Sequence, residues 1–93
     1  METLHIVEIR YCSRCKWLLR ASWYAQEVLS TFQDELGGVN LRSAAVPGEF
    51  SIHLGEVCLF DRKTHGGFIE AKELKRRIRD QITPERDLGH IDQ

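Results

Sequence analysis

Val7-Glu8-Ile9-Arg10-Tyr11-Cys12-Ser13-Arg14-Cys15 is an apolar, β-favouring run that ends on two cysteines three positions apart. Leu4, Ile6, Val7, Ile9 and Tyr11 predict a first strand over residues 3–11. Alternation puts Leu4, Ile6 and Glu8 on one face and His5, Val7 and Ile9 on the other. Apolar residues on both faces fit a central strand covered on at least one side. Beyond the cysteines, Leu18, Ala21, Ala25, Val28, Leu29, Phe32 and Leu36 recur at helical steps. That stripe predicts a helix over residues 14–36, with Ser13 as N-cap and Gly37-Gly38 as its end. The thiols then sit at a strand-to-helix mouth, where free N–H groups and the helix dipole favour the thiolate. Arg10, Arg14 and Lys16 add positive charge nearby. The attacking thiol should therefore titrate below the free-cysteine value of ~8.5. A dithiol/disulfide redox site is one reading of this pair; structural cysteines or a zinc site are the others. Zinc would need Cys12, Cys15, Cys58 and His65, but structural zinc usually takes two close ligand pairs and this chain has one. No metal is expected.

The totals narrow the class. Ninety-three residues make one domain over residues 1–93, with residues 83–93 as a C-terminal extension. A net charge of -1 argues against nucleic-acid binding. Three cysteines, an odd count, do not fit a secreted disulfide scaffold. No apolar run approaches the ~20 residues of a membrane span, and Met1-Glu2-Thr3-Leu4-His5 has no signal-peptide character. These features predict a cytoplasmic protein without membrane partners. In that compartment a vicinal thiol pair is catalytic or metal-binding rather than structural.

The rest of the chain completes the fold. Val39, Leu41, Ala45 and Val46 predict a second strand over residues 39–46, joined to the first by a right-handed parallel crossover. Pro47-Gly48 breaks the chain, and Phe50, Ile52 and Leu54 alternate as a half-buried strand. Gly55-Glu56 turns it into an antiparallel partner, Val57-Cys58-Leu59-Phe60, in which Cys58 is expected to be a small buried core residue. A basic, glycine-rich loop over residues 61–68 leads to a helix from about Glu70, marked by Ala71, Leu74, Ile78 and Ile82. Thr83-Pro84-Glu85 resembles a further helix start, before a polar tail from Leu88 to Gln93. Trp17, Trp23 and Tyr24 lie partly off the first helix's stripe. They cover the sheet edges, or else Trp17 and Tyr24, seven apart, form an aromatic surface for a partner protein beside the thiols. The βαβββα order is an α/β, two-layer, thioredoxin-like arrangement with Cys-x-x-Cys between the first strand and helix.

Three stretches resemble the selenoprotein W-like (Rdx) family, which includes the selenoprotein T and H branches. They are Val7 to Cys15, Pro47-Gly48-Glu49-Phe50-Ser51-Ile52, and Gly55 to Lys63 followed by Gly66-Gly67-Phe68. The resemblance implies a thioredoxin-like fold and a thiol-based oxidoreductase of redox homeostasis. Selenoprotein members carry selenocysteine at the second motif position, here Cys15, as some bacterial members carry cysteine. Glutathione, as a thiol co-substrate, and regulatory proteins are the partners the resemblance implies; no other cofactor is expected. The helix-mouth position favours Cys12 as attacking thiol, and the selenocysteine position favours Cys15. Arg62, Lys63 and His65 would favour an anionic thiol if their loop folds toward the motif. The alternative is a redox-sensitive protein-binding module without turnover.

Overall fold

The computed structural model describes residues 4–89. Seven elements follow in order: β1 (His5–Tyr11), α1 (Leu18–Thr31), β2 (Leu36–Ser43), β3 (Phe50–Leu54), β4 (Val57–Asp61), α2 (Arg62–His65) and α3 (Ala71–Ile82). The strands form one sheet in the order β2-β1-β3-β4. β1 runs parallel to β2 and antiparallel to β3, and β3 and β4 make a hairpin. This is the thioredoxin-like arrangement, with α2 as one short helix more than expected. Thr3 and the tail beyond Gly89 lie outside the described residues.

Alternation decides which face carries the core. Val7 and Ile9 of β1 and Phe50, Ile52 and Leu54 of β3 point to one side, where they meet Ala21, Tyr24 and Val28 of α1 and Leu74 and Ile78 of α3. Both helices pack on that face, α1 over β1 and β2, α3 over β4, and they touch each other. The opposite face is polar. Glu8 bridges Arg10 and Arg42 there, and those cations hold its carboxyl below the usual range, the Arg10 hydrogen bond most of all. Ser51 donates to Glu49 and lies 2.9 Å from the His53 ring. β1 is thus central, as its composition requires, but covered on one side only.

Helix α1 is shorter than its apolar stripe at both ends. Its start moves from residue 14 to Leu18 because Lys16 takes a left-handed backbone, φ 60°. Trp17, not Ser13, is the N-cap. Its end moves to Thr31, with Phe32 buried as C-cap and a turn in which the N–H groups of Glu35 and Leu36 donate to the Phe32 carbonyl. Gly37 and Gly38 belong to β2 and not to a helix end. A Cβ at Gly37 would lie 3.1 Å from Ile6 Cδ1 and 3.2 Å from Leu4 Cβ, so close strand approach is what uses glycine here. β2 accordingly starts and ends three residues earlier than residues 39–46. Thr83-Pro84-Glu85 forms a turn, not a helix.

Tyr24 ties α1 to the segment that leads into α3. Its hydroxyl donates to the Ile69 carbonyl, 45 residues away and buried, just before α3. Burial pushes the phenol above its ordinary range, against a smaller opposite effect of Arg20. Tyr24→Phe leaves that carbonyl without its partner, which costs about 1–3 kcal/mol. A urea titration should show a lower midpoint at unchanged slope. An unchanged midpoint would mean that the bond contributes nothing net.

Candidate functional site

The motif forms a coil between β1 and α1. Cys12 follows the last residue of β1 directly. The Cys15 N–H donates to the Cys12 carbonyl (3.3 Å) and the Lys16 N–H to the Ser13 carbonyl (3.1 Å). These turns bring the two cysteines to a Cα separation of 5.3 Å with their sulfurs joined as a disulfide. That separation lies within the usual range of about 4.4–6.8 Å. The sulfurs differ in access: Cys12 is only 4% exposed, while Cys15 is exposed. This runs against the helix-mouth argument for Cys12 as attacking thiol, which needs Cys12 to be the more accessible of the two. Cys12 leaves β1 into the core layer, and the coil carries Cys15 outward.

Trp17 anchors the coil. Its ring meets Phe68 edge-on at 5.3 Å and Phe50 at 6.0 Å, and the Arg62 guanidinium lies over it at 4.8 Å. From the other side, the Ala44 N–H donates to the Tyr11 carbonyl (2.8 Å) and Ser43 Oγ lies 3.4 Å from Ser13 Oγ. A cleft of about 280 Å³ runs beside the motif, lined by Cys12, Ser13, Arg14, Ala44, Ala45 and Pro47. Arg14 and Lys16 are exposed. The thiols do not, however, sit in the first turn of α1, since Cys15 precedes Leu18 by three residues. The dipole falls off within a turn, so α1 does little for a thiolate at either position.

Several expectations are corrected. Trp17 and Tyr24 do not form a surface: Trp17 is wedged among aromatic rings ahead of the helix, and Tyr24 falls on the core stripe with Ala21 and Val28, fully buried. The exposed large apolar side chains of α1 are Leu18, Leu19, Trp23 and Leu29, so Leu18 and Leu29 leave the core stripe expected of them. The signal for Leu19 and Trp23 was in the sequence, since they are four apart and off the core stripe. Cys58 is exposed, not buried. A bulge opposite Ile52/His53 pairs Phe60 with Ile52 but Cys58 with His53, so Cys58 turns to the polar face. Of the loop cations, Arg62 approaches the motif through Trp17, whereas Lys63 and His65 line clefts that neither motif cysteine lines. Among the described residues no group of three or more His, Cys, Asp or Glu could hold a metal ion. No described helix is long and apolar enough to cross a membrane.

A four-stranded sheet with helices on one face and a Cys-x-x-Cys disulfide after its inner strand β1 defines a thioredoxin-like protein with a bonded cysteine pair. The Rdx family matches residues 6–80, and the chain belongs to that family, whose chemistry is thiol-based and redox. The crystal structure of a Bordetella parapertussis protein is similar at 49% identity and a TM-score of 0.82, covering 86% of this chain and 100% of that one. A selenoprotein W-related protein from Vibrio cholerae is similar at 43% identity and a TM-score of 0.81, covering 85% and 98%. No curated protein is a significant match.

The left-handed Lys16 gives the coil a measurable signature. For a non-glycine residue this conformation costs roughly 1–2 kcal/mol, of which glycine returns part through greater freedom when unfolded, about 0.5–1 kcal/mol. In thermal denaturation of the oxidised protein, Lys16→Gly should melt at or above the parent temperature. Lys16→Val, β-branched and poorly suited to positive φ, should melt below it. The reverse order would show that the left-handed backbone is not held in solution.

Proposed function

We propose that this protein is a thiol–disulfide oxidoreductase in which Cys15 attacks and Cys12 resolves, acting in redox homeostasis in the cytoplasm. The observation that carries the reading is the unequal access of two bonded sulfurs, with Cys15 exposed and Cys12 buried behind it. The Cys15 thiolate attacks one sulfur of a substrate disulfide, forming a Cys15–substrate bond and releasing the other sulfur as a thiolate that takes up a proton. The Cys12 thiolate then attacks Cys15 Sγ, closing Cys12–Cys15 and releasing the second substrate sulfur as a thiol. The substrate gains two electrons and two protons, and the protein loses them. A cellular thiol, for which glutathione is the proposed co-substrate, returns the site to the dithiol. Arg14 and Lys16 favour the thiolate by charge alone, an effect that salt weakens because both are exposed.

The assignment is tested with an aromatic disulfide in a Cys58→Ala background, since Cys58 is itself exposed. The added Cys12→Ser change should leave a fast reaction that stops at a stable mixed disulfide on Cys15. The added Cys15→Ser change should slow the reaction by more than an order of magnitude. The opposite pattern would make Cys12 the attacking thiol. If neither the parent nor its single-thiol variants exchange faster than an unfolded cysteine peptide, the protein is a binding module without turnover.

A further inference from the structure

A helix that packs on a sheet needs one apolar stripe, and Ala21, Tyr24 and Val28 supply it in α1. Leu19, on the opposite side, is 82% exposed, and Trp23 is 44% exposed while its ring also packs beside Tyr24 at 5.2 Å. Leu19 and Trp23 stand four apart, so they are neighbours on the helix surface. With Arg20 they line a shallow cleft of about 390 Å³. Arg20 continues the surface toward the redox coil. Its guanidinium lies 4.1 Å from the centre of the Phe68 ring, and Arg62 lies 5.3 Å from that same ring and 4.8 Å from Trp17. Arg62 Nε is buried without a hydrogen-bond partner, and no carboxylate pairs with Arg62 among the described residues. Two guanidinium groups thus share one aromatic ring beside the motif.

The segment that carries the redox coil and the start of this ridge is one-sided in charge, and Glu27, the nearest acid along α1, is paired with Lys75. The chain holds 13 basic and 14 acidic residues, yet no Asp or Glu occurs between Ile9 and Gln26. Arg10 in that segment is paired with Glu8 on the far face of the sheet, while Arg14, Lys16 and Arg20 are exposed. An apolar ridge with unopposed cations complements a segment that is both apolar and acidic. A carboxylate would be attracted by the Arg20 and Arg62 guanidinium charges, and apolar side chains would cover Leu19 and Trp23. Aromatic and arginine side chains of this kind carry most of the energy at protein interfaces.

We propose that the strip formed by Leu19, Trp23, Arg20 and Arg62 docks a polypeptide segment rich in apolar and acidic residues, and so selects the protein disulfides presented to Cys15. This rests on the exchange reading above, but docking itself is separable from exchange. The probes are short synthetic peptides of Leu, Phe and Glu with one serine, and matched peptides in which every Glu is Lys. Calorimetry on the oxidised protein measures binding. The same peptides with cysteine in place of serine, activated as an aromatic disulfide, measure exchange by the reduced protein, each rate divided by that of the bare aromatic disulfide with the same variant.

The acidic peptide should bind at least about tenfold more tightly than the basic one, a difference that added salt reduces. Its relative exchange rate should exceed that of the basic peptide by a similar factor. Leu19→Ser, at a side chain 82% exposed, should weaken binding, and Leu19→Ser/Trp23→Ser, whose folding is checked by urea titration because Trp23 packs beside Tyr24, should remove most of it. Arg62→Gln should narrow the gap between the acidic and basic peptides. Equal binding of the two peptides, a preference for the basic one, or binding that survives Leu19→Ser/Trp23→Ser overturns the proposal. So does sedimentation showing a dimer that this double variant dissociates, since a second copy would then own the surface. Selective binding with no exchange of any disulfide supports docking and overturns the exchange reading instead. Exchange with no selective binding does the opposite.

Discussion

The contact on which the site depends is that of Trp17 with Phe50. Phe50 is fully buried at the start of β3, and its ring also meets Tyr24, Phe60 and Phe68. Burying such a side chain contributes about 1.5–3 kcal/mol, and each well-placed aromatic pair adds about 0.5–1.5 kcal/mol. Trp17 is therefore held to this cluster, while β1 fixes Cys12 at the other end. Only Ser13, Arg14, Cys15 and Lys16 lie between the two fixed points. They must coil rather than run straight into a helix, and the left-handed Lys16 is where the coil reverses. From this constraint follow the late start of α1, the inward Cys12 and the outward Cys15.

The sequence reveals some elements and conceals others for identifiable reasons. β1 and the β3–β4 hairpin are legible because alternation and turn residues act locally, and the Cys-x-x-Cys pair is legible because spacing alone brings the sulfurs together. The bounds of α1 are not. Its apolar stripe continues through Leu36, and no residue type announces that Lys16 takes a positive φ. Gly37 suits a helix end as well as a strand, and only the approach of Ile6 and Leu4 distinguishes them. Cys58 escapes for a similar reason. Strict alternation would give it the same face as Phe60, and the bulge that separates them depends on pairing with β3. Trp17 and Tyr24 share a side only if both are helical, and Trp17 is not.

The geometry also divides the molecule chemically. The helix-covered side carries the redox coil, the aromatic anchor and the exposed ridge of α1. The bare sheet face carries Glu8, Arg10, Arg42, Ser51 and His53, with the third cysteine among them. There burial, and then the charge of Arg10, lower the His53 pKa, so its imidazole is held toward the neutral form. Cys58 thus lies on the polar sheet face, while Cys12 and Cys15 are bonded to each other. Membership of the Rdx family supplies the class of chemistry; the unequal burial of the two sulfurs is what the proposed order of events rests on.

If Cys12 and Cys15 form one reversible couple, intact-mass measurement across a graded dithiol/disulfide buffer tests it most directly. The parent and Cys58→Ala proteins should both lose two hydrogens in a single transition at the same potential, with the bond confined to peptides holding Cys12 and Cys15. Loss of the transition in Cys58→Ala, or a bond from Cys58 to either motif cysteine, would contradict a self-contained redox pair.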